Sequence, residues 1–297
     1  MAVADQSVAD RRRANLFDRS PSLRSVAVFS GRWAARIGVF VAVVVVWEWV
    51  VDSGRANEVI LPSPSRIWAA FRALFATEWT VDSPLFFFQP FFREHFTATI
   101  AETALGFAIG ASIGLALATV MTMWPVIRPF LSDYIVAFEA IPKVALIPLF
   151  VAWFGIGASS KVALAITMTF FPVFLTAYSG MNTVPEDYTM LTAQLRSSRL
   201  QRMTKLQFPH CLPTLFAGLK QALANSLIGA IVAEFFGARE GLGYLISIYS
   251  FQIRTDRLFA VLIIISIIAL VFFLLLDFAA KRLCFWAQGG LADITDI

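Results

Sequence analysis

Residues 103–123 carry no charged side chain over 21 positions, and this run limits the fold more than any motif does. At 1.5 Å per helical residue it reaches about 30 Å, the thickness of a bilayer's hydrocarbon core. Within lipid a segment must satisfy its own backbone N–H and C=O groups, so a run of this kind is a membrane-spanning helix. Comparable runs follow at 162–180 and 258–276, another at 213–236 is interrupted by Lys220 and Glu234, and a shorter one at 37–51 has Glu48 near its far end. With 58% hydrophobic and 15% charged residues among 297, the chain falls outside the soluble classes. The expected fold is an all-α membrane protein with about six transmembrane helices.

The remaining span, 134–154, is broken. Pro142 and Pro148 each remove a backbone donor, and Glu139 and Lys143 lie at membrane depth. Kinked backbone and ionisable groups are tolerated there when protein or a wet cavity surrounds them. Glu139, Pro142, Lys143 and Pro148 are therefore pathway candidates, together with Glu234 near the end of the fifth span. Two plainer readings stand beside this one: Glu139 and Lys143, spaced i, i+4, simply pair at a helix end, and Glu234 caps its span at an interface. Lys220, two turns into that span, can snorkel. On 103–123, Gly106, Gly110, Gly114 and Ala118 form a small-residue stripe that lets a neighbouring backbone approach, in this chain or in another.

Outside the spans, residues 1–32 are basic and lack apolar periodicity, which reads as a disordered tail. Residues 33–282 hold the membrane domain and 283–297 a short second tail. Between the first two spans, Ile67, Phe71 and Leu74 recur as on an interfacial helix, and PLFFFQPFF at 84–92 suits a headgroup-level anchor. The loop 237–257, with GAREGLGYLI, suggests turns and partial re-entry. Six spans with the amino terminus inside place fourteen basic residues on the inner side and eight on the outer, so both termini and the loop 183–213 are expected in the cytoplasm.

That loop, TVPEDYTMLTAQLRSSRLQRMTKLQFPHCLP, is the one long polar stretch between apolar spans. It reads as two short helices. Thr183 and Glu186 form a capping box with Pro185 in the opening turn, and Val184, Tyr188, Leu191 and Leu195 make one narrow apolar face. Ser198 and Gln201 repeat the box, and Leu200, Met203 and Leu206 form a second stripe opposite Arg202 and Lys205. One continuous helix would set Arg196 and Arg199 among the leucines, so a break is expected at Ser197 and Ser198. Pro209 and Pro213 then end this element and begin the next. Such a pair of helices could lie on the lipid surface or dock into a soluble partner.

The sequence argues against chemistry in the chain itself. Cys211, Cys284, His95 and His210 assemble neither a disulfide framework nor a metal site. Without a single Gly-Lys pair there is no phosphate-binding loop of the G-x-x-x-x-G-K type. Glu102, Glu139, Glu234 and Asp277 lie on separate spans. The chain is expected to be no enzyme, to hold no cofactor or metal, and to bind no nucleic acid; if ATP is used, another subunit binds it.

The order of motifs resembles the permease subunits of bacterial binding-protein-dependent ABC importers, over about residues 60–280. LPSPSRIW at 61–68, EAIPKVALIPLFVAWFGIG at 139–157 with Ser160 and Lys161, and IVAEFFGAREGLGYLI at 231–246 look like the branch handling nitrate, taurine, alkanesulfonates and pyrimidine precursors of thiamine. PKVALIPL and FAGLK lean toward the pyrimidine or vitamin-precursor side. The loop 183–212 is similar to the family's coupling segment, although the family's Glu-Ala-Ala falls on Met190, Leu191 and Thr192, and its glycine on Arg196.

The resemblance implies the type I ABC importer permease fold, a multi-pass place in the bacterial inner membrane, and alternating access. It implies three partners: a cytosolic ATPase dimer, an extracytoplasmic solute-binding protein, and a second permease, as a homodimer or a heterodimer. The residues it assigns to ATPase coupling are Thr183, Pro185, Glu186, Tyr188, Leu191, Leu195, Arg196, Ser197, Ser198, Arg199, Gln201, Arg202, Pro209 and Pro213. The competing function is a stand-alone ion-coupled carrier using Glu139, Lys143 and Glu234, for which inverted repeats would be expected and none is visible. A third reading, a membrane anchor for a cytosolic enzyme, leaves the broken span without a reason.

Overall fold

A computed structural model describes residues 23–75 and 90–287. Ten helices are named here: α1 Leu23–Asp52, α2 Pro64–Phe75, α3 Pro90–Met123, α4 Arg128–Ala140, α5 Ile147–Phe154, α6 Ala158–Asn182, α7 Glu186–Gln194, α8 Arg199–Gly237, α9 Leu242–Phe251 and α10 Thr255–Leu283. Short 3-10 turns precede α4 and α5 and follow α10. Among the described residues α3, α6, α8 and α10 are long and apolar enough to cross a membrane, and α4 with α5 makes a fifth span if the bent pair is counted as one. The expected first span, 37–51, lies within α1.

Several boundaries move. Residues 23–32, assigned to the tail, open α1, while residues 1–22 lie outside the described set. Most of the aromatic anchor at 84–92 also lies outside it, and its last three residues begin α3.

The chain divides into two units, Met1–Arg66 and Ile67–Ile297. In the first, Glu48 serves the start of α2: its Oε2 accepts the Ser65 N–H at 3.1 Å and its Oε1 the Ser65 hydroxyl at 2.6 Å. A carboxylate is favoured there because the first N–H groups of a helix have no intrahelical acceptor.

In the second unit α6 is packed between α3 and α8, and small residues set how closely. The expected stripe meets a helix of the same chain. A Cβ on Gly110 would stand 2.7 Å from the Ile166 carbonyl oxygen, and one on Gly114 the same distance from that of Phe170. On the far side Gly218 abuts Thr176 and Gly229 abuts Ala165 and Met168. Lipid is as apolar as leucine, so association rests on such close contact.

The broken span is a sharp bend of 86° between α4 and α5. Ile141 is extended (φ −68°, ψ 129°), as the ring of Pro142 demands of the residue before it. Pro148 acts differently from the expectation: it lies in the first turn of α5, where its missing N–H costs nothing.

Candidate functional site

Two places carry the functional argument, at opposite ends of α8. The first is the polar loop. Its first helix, α7, does not begin as expected. The Thr183 hydroxyl donates back to the Gly180 carbonyl at 3.2 Å, and extended Pro185 takes the N-cap position without a side-chain cap. Thr183 lies two residues before that position, and the end of α6 offers it an orphaned carbonyl. Glu186 and Asp187 fill the first turn of α7, where negative charge is favoured.

The far end of α7 explains the break at Ser197 and Ser198. The Arg196 N–H donates to the Ala193 carbonyl at 3.0 Å and the Ser197 N–H to that of Thr192 at 3.1 Å, the two bonds of a Schellman motif. Arg196 therefore adopts φ 49°, left-handed backbone that favours glycine. The Ser197 hydroxyl reinforces the turn through the Thr192 carbonyl at 2.6 Å. Ser198 and Gln201 form the expected reciprocal capping box.

From Arg199 the expectation of a separate second helix fails. The helix runs on through a π turn, Met203–Gln207, into the fifth span. The Phe208 N–H reaches back to the Met203 carbonyl, shifting the ladder by one residue just before Pro209. Pro209 then lies in a first turn, and Pro213 sits inside the helix without ending it. Arg202 continues this run, and Met203 after it is buried.

Tyr188, Leu191 and Leu195 are 56, 52 and 71% exposed, so among the described residues the apolar stripe of α7 is largely uncovered. Its geometry is nonetheless set at both ends, by Pro185 and by the Schellman turn.

The second place was not anticipated. Glu234, expected to cap a span at an interface, is 0% exposed. Its Oε1 accepts the Thr99 hydroxyl at 2.6 Å and its Oε2 the Gly243 N–H at 2.7 Å. Thr99 Oγ1 also accepts the Leu242 N–H at 2.8 Å, and His95 Nδ1 accepts that of Gly241 at 3.1 Å. Three consecutive N–H groups at the start of α9 are thus satisfied by side chains of α3 and α8. The glycines are required: Gly241 has φ 112°, and a Cβ on it would overlap the Glu234 carboxylate. Beside this cap, Lys161 Nζ lies 2.9 Å from Glu102 Oε1 and 3.5 Å from the Glu240 carbonyl, which ties in α6.

Two of the carboxylates read as scattered fall in one buried region: Glu102 lies on α3 one turn from Thr99, the residue that Glu234 of α8 accepts from. One signal was available. His95, Thr99 and Glu102 recur at i, i+4 and i+7, a polar face on a membrane helix, which must find partners inside protein.

Of the pathway candidates, Lys143 pairs with Glu139 at 3.1 Å across the bend, donates at the same distance to the Glu139 carbonyl, and lies over the Phe171 ring. Glu234 belongs to the other cluster. Lys220 does not snorkel freely but meets Asp277 of α10 at 2.6 Å.

A helical protein with several membrane-spanning helices, one of them sharply bent, has the architecture of a membrane transport subunit. A family model, binding-protein-dependent transport system inner membrane component, matches residues 106–284. The chain is 30% identical over 237 residues to a probable ABC transporter permease protein of Haemophilus influenzae, covering 80% of this chain and 91% of that one. It is 30% identical over 234 residues to the formylaminopyrimidine transport permease protein of Halalkalibacterium halodurans, covering 79 and 88%. An inward-facing structure of the MetNI methionine ABC transporter shares the fold, with TM-score 0.55 and 19% identity over 65% of this chain and 93% of that one. The chain belongs to the binding-protein-dependent inner membrane component family: it is a multi-pass permease subunit of an ABC importer, a class that works with an ATPase partner.

Proposed function

We propose that residues 183–212 are the segment through which a cytosolic ATPase dimer drives this permease. The observation that carries the reading is the stripe Tyr188, Leu191 and Leu195, exposed on a helix whose two ends are held by Pro185 and the Arg196 turn. An apolar helix face presented in a fixed geometry suits a groove on a folded partner. Arg199 and Arg202 beside it supply the polar rim. Both termini lie in the cytoplasm, and an extracytoplasmic solute-binding protein delivers to the opposite side. The chain catalyses nothing itself.

The pathway forms between two permease copies, with the bend at Glu139, Pro142, Lys143 and Pro148 along it. Glu139 neutralises Lys143, so the bend offers no net positive charge. This supports a small uncharged heterocycle, of the kind named for the Halalkalibacterium halodurans relative, over nitrate or a sulfonate.

The test is co-purification with the ATPase followed by measurement of ATP hydrolysis and uptake of labelled formylaminopyrimidine. Leu191→Asp or Leu195→Asp should abolish transport-coupled hydrolysis while the permease remains in the membrane. Unchanged uptake would overturn the docking assignment, and uptake of labelled nitrate or taurine in place of the pyrimidine would overturn the solute assignment.

A further inference from the structure

The buried cap on α9 lies far from the exposed stripe of α7, yet a single helix joins the two places. α8 runs 39 residues from Arg199 to Gly237, π turn included, a length of about 58 Å. Its first turn follows directly on the Ser198 cap of the polar loop, and Glu234 stands in its last turn. α9 has ten residues, about 15 Å, too short to cross a bilayer.

Side chains of two other helices fix the start of α9. Gly241, Leu242 and Gly243 donate to His95 Nδ1, Thr99 Oγ1 and Glu234 Oε2, and Glu234 Oε1 closes the set by accepting the Thr99 hydroxyl. Every one of these groups is buried. Polar groups taken from water are held this way only where their partners are positioned for them, and losing one leaves others unsatisfied. Thr99 links to α3 and Glu234 to α8, so α9 is pinned to both at a point where neither can shift without moving it.

We propose that Glu234 is a positioning residue for transport: it passes displacement of α8, imposed at the polar loop, on to α9 at the other end of the molecule. The proposal rests on the coupling role assigned to residues 183–212. Glu234 touches no solute in this scheme; it acts by holding the start of α9. A glutamine preserves the role, because its carbonyl accepts from Gly243 while its amide donates to Thr99 Oγ1. The Thr99 hydroxyl then turns to the His95 carbonyl, already 3.3 Å away. An alanine removes both bonds.

The experiment uses the permease co-purified with its ATPase and reconstituted in lipid nanodiscs, where both faces are open to solution. A cysteine replacing exposed Ser250, on α9, is labelled with a membrane-impermeant maleimide in the nucleotide-free state and after trapping with ATP, magnesium and vanadate. A second cysteine, Leu195→Cys, reports docking: its labelling should be blocked by the ATPase. In the otherwise native complex the Ser250→Cys rate should differ between the two states. Glu234→Ala should lose that difference while ATPase binding and hydrolysis persist, and Glu234→Gln should retain it. Thr99→Val, which cuts the same bridge from α3, should behave as the alanine does and serves if Glu234→Ala does not fold.

A nucleotide-dependent difference that survives in Glu234→Ala or Thr99→Val overturns the proposal, as does its absence from the native complex. So does a Glu234→Gln variant that binds ATPase yet behaves like the alanine. If Leu195→Cys stays reactive with ATPase present, the coupling assignment itself fails, and this inference falls with it.

Discussion

Lys161 Nζ stands 2.9 Å from Glu102 Oε1, with the two side chains 6 and 5% exposed. This ion pair joins α6 to α3 beside the cap on α9. Removing one partner strands a buried charge, at a cost of about 3–5 kcal/mol. Lys161→Met should lower the thermal midpoint in detergent markedly, and adding Glu102→Leu should recover much of the loss. A single variant as stable as the parent would show that the pair is not enclosed.

Arg196 occupies left-handed backbone that costs a residue with a Cβ about 1–2 kcal/mol. Arg196→Gly relieves this but gains freedom in the unfolded chain, so the net stabilisation should be about 1 kcal/mol. The check is the midpoint of thermal or denaturant unfolding. A destabilised Arg196→Gly would mean that the guanidinium makes a contact worth more than the strain.

Gly110 and Gly38 should respond oppositely to an added side chain. At Gly110 the obstacle is the Ile166 carbonyl, backbone that cannot swing aside, so Gly110→Val should cost about 1–3 kcal/mol or block folding. Among the described residues nothing lies within 4 Å of a Cβ at Gly38, and Gly38→Ala should be neutral or slightly stabilising. Expression level and unfolding midpoint of the two variants measure the contrast.

Pro142 makes the 86° bend by forcing Ile141 out of helical backbone. Pro142→Ala restores a donor and frees Ile141, so the angle between α4 and α5 should open. Spin labels at Asp133 and Phe154 would report a longer separation than in the parent, together with loss of uptake in a complex that still assembles. An unchanged distance would place the cause of the bend in surrounding packing.

Features set by neighbours along the chain were legible in the residues. Long apolar runs gave the spans, Pro142 gave the break in the third of them, and arginines among leucines gave the break at Ser197 and Ser198. Single-residue rules failed where a neighbour changed the outcome. Thr183 is a good cap residue, but α6 ends beside it and claims its hydroxyl. Pro209 is a helix stop, but a π turn moves the ladder before it matters. The cluster around Glu234 needed the fold: Thr99 and Glu234 are 135 residues apart, and only the packing of α3 and α8 on α6 brings them to bonding distance.

The π turn at Met203–Gln207 also has a bearing on how the two ends of α8 are aimed. A wide turn absorbs one extra residue, so every residue after it lies about 100° from where an unbroken α-helix of the same sequence would place it. The azimuth of Glu234 about the helix axis and that of Arg199 are therefore offset by this one wide loop. Deleting a single residue within it would let the turn close as ordinary α-helix with the two ends still nearly in phase, whereas deleting one elsewhere along α8 would twist them apart.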